Sequence, residues 1–146
     1  IDLVGLAIGA GSQLVVVRVV YLPLEALWPD TFTQDRLTEN AQDLVDRAGG
    51  ASTLLLVLVV VIGAPVVEEL FYRGLLQRSL ADRFNEGAVL VGVAAIFAMA
   101  HFRPIEFPGL FVFGLILGWA ALRARRLGPA ITIHIGFNLT GLLLVL

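Results

Sequence analysis

From Ala51 to Leu80 the chain reads ASTLLLVLVVVIGAPVVEELFYRGLLQRSL. It is apolar as far as Val67, and about 20 mostly apolar residues make a helix that crosses a bilayer. The next residues break that pattern. Glu68, Glu69 and Arg73 lie in the continuation of the same helix. An ionisable side chain at mid-membrane costs about 2.5 to 3.5 kcal/mol even on lenient scales, so such a trio persists only where it is paired or used. Helical spacing puts Glu69 and Arg73 four apart on one face, where they can form an ion pair. Glu68 is turned about 100° away and cannot share that arginine equally. One carboxylate is therefore expected to be structural and the other free, and a free carboxylate in apolar surroundings is a candidate general base.

Four more apolar runs flank this one: about Leu3 to Trp28, interrupted by Arg18; Gly87 to Phe102; Pro108 to Arg123; and Pro129 to Leu146. The fold class is read as all-α, a polytopic transmembrane helical bundle of about five membrane helices, several of them short for a full crossing. Between the first two runs, Asp30 to Arg47 is polar but puts Leu37, Ala41, Leu44, Val45 and Ala48 on one helical face. This reads as a short amphipathic interfacial helix, with a solvated connector as the alternative. Thr31 and Gln34 fit a capping box at its start, and Gly49-Gly50 fit a stop at its end. Gly5/Gly9 and Gly114/Gly118 have the spacing that lets helices approach closely. Tyr21, Trp28 and Trp119 fall near expected helix ends, as interfacial aromatics do.

Composition agrees. Of 146 residues, 58% are hydrophobic and 15% charged, with a mean hydropathy of +0.90. That is too few polar side chains to cover a soluble domain of this size. A net charge of -2 disfavours nucleic acid as a partner. Cysteine is absent, which removes disulfides, thiolate metal sites and a cysteine nucleophile. Arg78 and Arg83 follow the second run and Arg123, Arg125 and Arg126 the fourth. The positive-inside rule then places both ends on the cytoplasmic side, with the acidic connector opposite. The chain opens at Ile1 rather than Met and reads as a piece of a longer protein. The expected location is the bacterial cytoplasmic membrane, crossed several times.

The two histidines complete the set. His101 ends Phe97-Ala98-Met99-Ala100-His101, and His134 stands four residues before Asn138. Either alone reads as structural, but both on membrane helices beside a doubled glutamate point to a functional site. Glu68, His101 and His134 also match the two-histidine, one-carboxylate count of several catalytic zinc sites, although HExxH is missing and Asn138 is a poor zinc ligand.

Glu68-Glu69-x-x-x-Arg73, Phe97-x-x-x-His101 and His134-x-x-x-Asn138, in that order on successive helices, resemble the three motifs of the CPBP intramembrane proteases, also called the Abi or CAAX prenyl protease type 2 family. The resemblance covers about Val61 to Leu146. It implies hydrolysis of peptide bonds inside the membrane by a water that Glu68 and His101 activate. His134 and Asn138 would donate to the oxyanion, with Glu69, Arg73 and Phe97 in support. It implies a peptide or membrane-protein substrate, prenylated in some members, met in the lipid bilayer. No cofactor is favoured; zinc held by Glu68, His101 and His134 is the alternative.

On this reading residues 1–50 hold the first helix and the connector, and residues 51–146 the catalytic core. The competing readings are a non-catalytic scaffold or bacteriocin-immunity protein of the same fold, and a transporter whose acids and histidines relay protons. Depth in the membrane poses a geometric difficulty. His134 comes only a few residues into its helix and sits nearer the cytoplasm than Glu68 and His101 unless that helix starts recessed or tilts.

Overall fold

The computed structural model describes residues 2–48 and 51–146, which form helices and no strand. Among the described residues six continuous helices run in order: α1 Leu3–Leu27, α2 Gln34–Arg47, α3 Ser52–Ala81, α4 Glu86–Met99, α5 Phe107–Ala124 and α6 Gly128–Leu143. By length and composition α1, α3 and α5 can cross a membrane, and α4 is a shorter apolar helix. At 1.5 Å per residue α4 spans about 21 Å and α6 about 24 Å, against a hydrocarbon core of about 30 Å. Of the five expected crossings three have full length; the two shorter helices bring in His101 and His134.

Helix ends follow local chemistry. Asp2 caps α1 by accepting from the Gly5 N–H at 3.1 Å, and Asn85 caps α4 by accepting from the Ala88 N–H at 2.8 Å. Pro108 and Pro129 occupy the first turns of α5 and α6, where a missing N–H costs nothing. The cap of α2 is Thr33, which accepts from the Arg36 N–H, so the capping box expected at Thr31 is not formed. Thr31 is taken up in the turn that closes α1, where its N–H and that of Phe32 both donate to the Trp28 carbonyl. The expected stop at Gly49-Gly50 lies outside the described residues.

The surface is inverted relative to a water-soluble protein. On α3, Leu54, Leu55, Leu58, Val59, Ile62, Val67, Leu70, Phe71 and Leu75 are exposed, while Glu69, Arg73 and Gln77 are buried. A continuous apolar outer band of this kind needs lipid against it. The core gathers Tyr72, Val89, Val93, Phe97, Phe113, Leu117 and Ile133.

Both glycine pairs sit at close helix contacts, Gly9 and Gly114 against backbone and Gly5 and Gly118 against side chains. A Cβ on Gly9 would meet the Ile133 carbonyl oxygen and the Phe137 nitrogen, and one on Gly136 would meet the Leu6 backbone. α1 and α6 therefore touch backbone to backbone. Tyr21 is not an interfacial aromatic. It is only 6% exposed; its hydroxyl donates to the Ile105 carbonyl at 2.8 Å and accepts from the Gly109 N–H at 3.3 Å. A buried phenol needs such partners, and these tie α1 to the turn between α4 and α5.

Candidate active site

Two stretches of α3, Leu58–Gly63 and Leu70–Gln77, wind in the wider i→i+5 register, a local feature common at functional sites. The inner face of the second carries a polar ladder. Arg73 Nη1 donates to Glu69 Oε1 at 2.8 Å, and both side chains are fully buried. Arg73 Nη2 donates to the Gly114 carbonyl at 2.9 Å, and one turn on Gln77 Nε2 donates to the Gly118 carbonyl at 3.1 Å. Glycine is required on α5 for this. A Cβ on Gly118 would lie 2.6 Å from Leu90 Cδ1 and 2.9 Å from Gln77 Oε1, and one on Gly114 would lie 3.1 Å from the Ala94 backbone.

Glu69 Oε1 has a second partner, His134 Nδ1, at 2.9 Å. An ionised carboxylate only accepts, so Nδ1 carries the proton and Nε2 is turned away from Glu69. His134 Nε2 lies 3.9 Å from Glu68 Oε2, a buried oxygen with no hydrogen-bond partner. Phe97, fully buried, is the hub of the site. Its ring meets those of Tyr72, His101 and His134 edge-on at 5.3, 4.9 and 5.8 Å between centroids, and the Arg73 guanidinium stands 4.7 Å from its centre. His101 Nδ1 donates to the Phe97 carbonyl at 2.8 Å, which leaves its Nε2 as the basic atom. No hydrogen bond joins His101 to Glu68 among the described residues.

Asn138 is engaged elsewhere. Its Nδ2 donates to the Val60 carbonyl at 2.9 Å, for a reason that lies in α3. In the wide register of Leu58–Gly63 the Ala64 N–H reaches back to Val59, so the next acceptor, Val60, faces residue 65. That residue is Pro65, which has no N–H. The orphaned carbonyl is filled by the Asn138 amide, which keeps one hydrogen free.

The depth difficulty resolves as a recessed start for α6. Arg125 turns the chain at a left-handed φ of 53° after α5, and Leu127 then packs on Gly74, where a Cβ would lie 3.2 Å from Leu127 Cδ1. Gly74 is seven residues inward of Ala81, about 10 Å at helical rise, and His134 is seven residues beyond Leu127, again about 10 Å. The sum comes within one helical turn of the roughly 18 Å by which Glu69 lies inward of Ala81.

The structure thus brings Arg73, His101 and His134 against the Phe97 ring, links Glu69 to Arg73 and His134 and sets Glu68 beside His134, and joins Asn138 to α3 at Val60. Sequence reasoning misses Gln77 although its signal is present, a third polar residue in a four-residue series on an apolar helix. It misses the Val60 carbonyl because that vacancy depends on the register of α3. Among the described residues no three His, Cys, Asp or Glu side chains converge as a metal-ligand group.

A family model described as type II CAAX prenyl endopeptidase, Rce1-like, matches residues 50–140. The chain belongs to the Rce1-like family. No curated protein and no solved structure matches it. The matched segment contains every motif residue of the gathered site, from Glu68 to Asn138. Membership in this Rce1-like CAAX protease family, with helices apolar and long enough to span a bilayer, makes the chain an integral membrane protein of intramembrane endopeptidase type.

Proposed function

We propose that this Rce1-like chain hydrolyses a peptide bond near the C-terminus of membrane-associated, prenylated substrates with a water that Glu68 and His101 activate. The observation that carries the reading is Glu68 Oε2, a buried acceptor without a partner next to His134 Nε2. A carboxylate oxygen buried beside an imidazole, yet left unpaired, is suited to take a proton from a single bound water. His101, held by Nδ1 on the Phe97 carbonyl, offers Nε2 as the second base. Attack of the water on the scissile carbonyl transfers its proton to this pair and then to the leaving amine. The oxyanion is met by the free hydrogen of the Asn138 amide and by His134 Nε2. His134 donates from that atom as the imidazolium, its charge met by the oxyanion, since Glu69 at Nδ1 already neutralises Arg73. No metal takes part in this scheme.

The test is cleavage of a quenched, farnesylated peptide by the purified chain in nanodiscs. Native protein should cut the peptide, and keep cutting it in the presence of strong chelators. Glu68→Gln should remain folded and be inactive. Turnover by Glu68→Gln equal to native, or activity lost on chelation and restored by zinc, would sink the scheme. A chain that cuts nothing would be a scaffold of the same fold.

A further inference from the structure

From Leu3 to Leu24 the single charged residue of α1 is Arg18. It is exposed and forms no ion pair or side-chain hydrogen bond among the described residues. A charge that faces lipid is costly unless it finds a partner, and here that partner must come from outside the chain. Arg18 lines a cavity of about 190 Å³ together with Tyr21 and Glu25 of α1, Gln34 at the start of α2 and Leu144 just past α6. The same residues fix its depth. The Tyr21 hydroxyl bonds to Ile105, which holds the turn between α4 and α5 near the height of Tyr21, six residues or about 9 Å short of the Leu27 end of α1. Leu144 brings the end of α6 to the same recess. The last turns of α1 therefore stand above their short neighbours, and the bilayer surface beside α4 and α6 meets α1 close to Arg18, three residues or about 4.5 Å from Tyr21.

We propose that this cavity holds the headgroup of a phospholipid with a primary ammonium, of the phosphatidylethanolamine type, with Arg18 on the phosphate and Glu25 on the ammonium. The two side chains are seven residues apart on one face of α1 and line one recess without pairing to each other, so a group carrying both charges fits between them. Their order is that of the lipid. Arg18 lies on the membrane side of Tyr21 and Glu25 four residues beyond it, about 6 Å further out; a phosphate likewise lies nearer the acyl chains than the ammonium does. The apolar stem of Arg18 can rest in the chains while its guanidinium meets phosphate oxygens, and Leu14, Val17 and Leu22 offer a wall to an acyl chain. Charge selects among lipids. From Arg18 to Arg47 the sequence holds six acids and three arginines, which opposes a net-negative headgroup and favours one that ends in a cation. Glu25 can accept an N–H from a primary ammonium, whereas a quaternary one has none to give. The site lies outside the matched residues 50–140 and is independent of the chemistry at Glu68.

The test is native mass spectrometry of the full chain released from micelles that contain equal amounts of dioleoyl phosphatidylethanolamine, phosphatidylcholine and phosphatidylglycerol. Native protein should retain one phosphatidylethanolamine, favoured by about ten- to a hundredfold over either competitor. Glu25→Ala should hold phosphatidylethanolamine and phosphatidylcholine equally. Arg18→Leu, which makes the span apolar throughout, should hold no phospholipid above background, and Arg126→Gln, exposed at the opposite end of the molecule, should keep the native preference.

A second series needs no variant and so does not depend on their folding. Mono-, di- and trimethylation of the ethanolamine nitrogen should weaken retention by native protein, most steeply at the third methyl, which removes the last N–H. Retention that ignores methylation overturns the inference, as does a native preference for phosphatidylglycerol, which would make the recess an anion site. Retention unchanged in both Arg18→Leu and Glu25→Ala overturns it as well, and would leave the two side chains to each other.

Discussion

The double role argued for Asn138 can be split by one additional substitution. Its amide fills the Val60 carbonyl that Pro65 leaves empty, and its second hydrogen is assigned to the oxyanion. Asn138→Ala removes both at once. A buried carbonyl left without a donor costs about 1 to 3 kcal/mol, and loss of one oxyanion donor costs about a hundred- to a thousandfold in kcat. Pro65→Ala acts on the first effect only, because it returns an N–H to the position that faces Val60. In Asn138→Ala/Pro65→Ala the stability loss should therefore shrink to within about 1 kcal/mol of Pro65→Ala alone, while kcat stays low. Unfolding in mixed detergent micelles, followed by far-UV circular dichroism, reads the first quantity, and initial rates on the quenched peptide read the second. Failure of Pro65→Ala to restore stability refutes the orphaned-carbonyl argument. Recovery of kcat together with stability refutes the oxyanion role and leaves Asn138 as a packing amide.

Glu69→Ala should destabilise the fold by about 3 to 5 kcal/mol, because it strands a fully buried Arg73, whereas Glu69→Ala/Arg73→Met should recover most of that; additive losses in a denaturation cycle would contradict the pairing. Gly9→Val should lower Tm sharply by forcing α1 off the α6 backbone, while Gly11→Ala, which meets open space, should leave Tm unchanged or raise it slightly. Glu106 precedes α5, and burial raises its carboxyl above the ordinary range against the nearby charges of Arg103 and His101. A raised folded value means stabilisation that is present at low pH and lost as pH rises through that value, so Tm measured from about pH 4 to about pH 8 should fall with a slope that Glu106→Gln removes.

The helices were legible because their signal is one-dimensional. Runs of apolar residues broken by Pro108, Pro129 and the arginine clusters mark each crossing to within a few residues. The Glu69–Arg73 pair was legible for a similar reason, since partners four apart on one helix need no tertiary knowledge. Whatever depended on a second helix was hidden. Thr31 and Thr33 are both good caps, and only the turn that closes on Trp28 selects between them. Tyr21 has the position of an interfacial aromatic, and its partners, Ile105 and Gly109, lie more than eighty residues away. The sharing of Glu69 by Arg73 and His134 depends on how far inward α6 begins, and that is decided by Leu127 resting on Gly74, a contact with no periodicity to reveal it.

Because Arg73 and Glu69 belong to the same helix, their ion pair also bears on biosynthesis. α3 emerges from the ribosome well before α5 and α6, so neither the Gly114 carbonyl nor His134 exists to receive its polar groups when it first meets lipid. Glu69 and Arg73 can neutralise each other at that moment without waiting for a later segment. The long apolar half from Leu54 to Ile62 then has a smaller opposing load to carry into the bilayer, and the helix can wait there until the rest of the chain arrives.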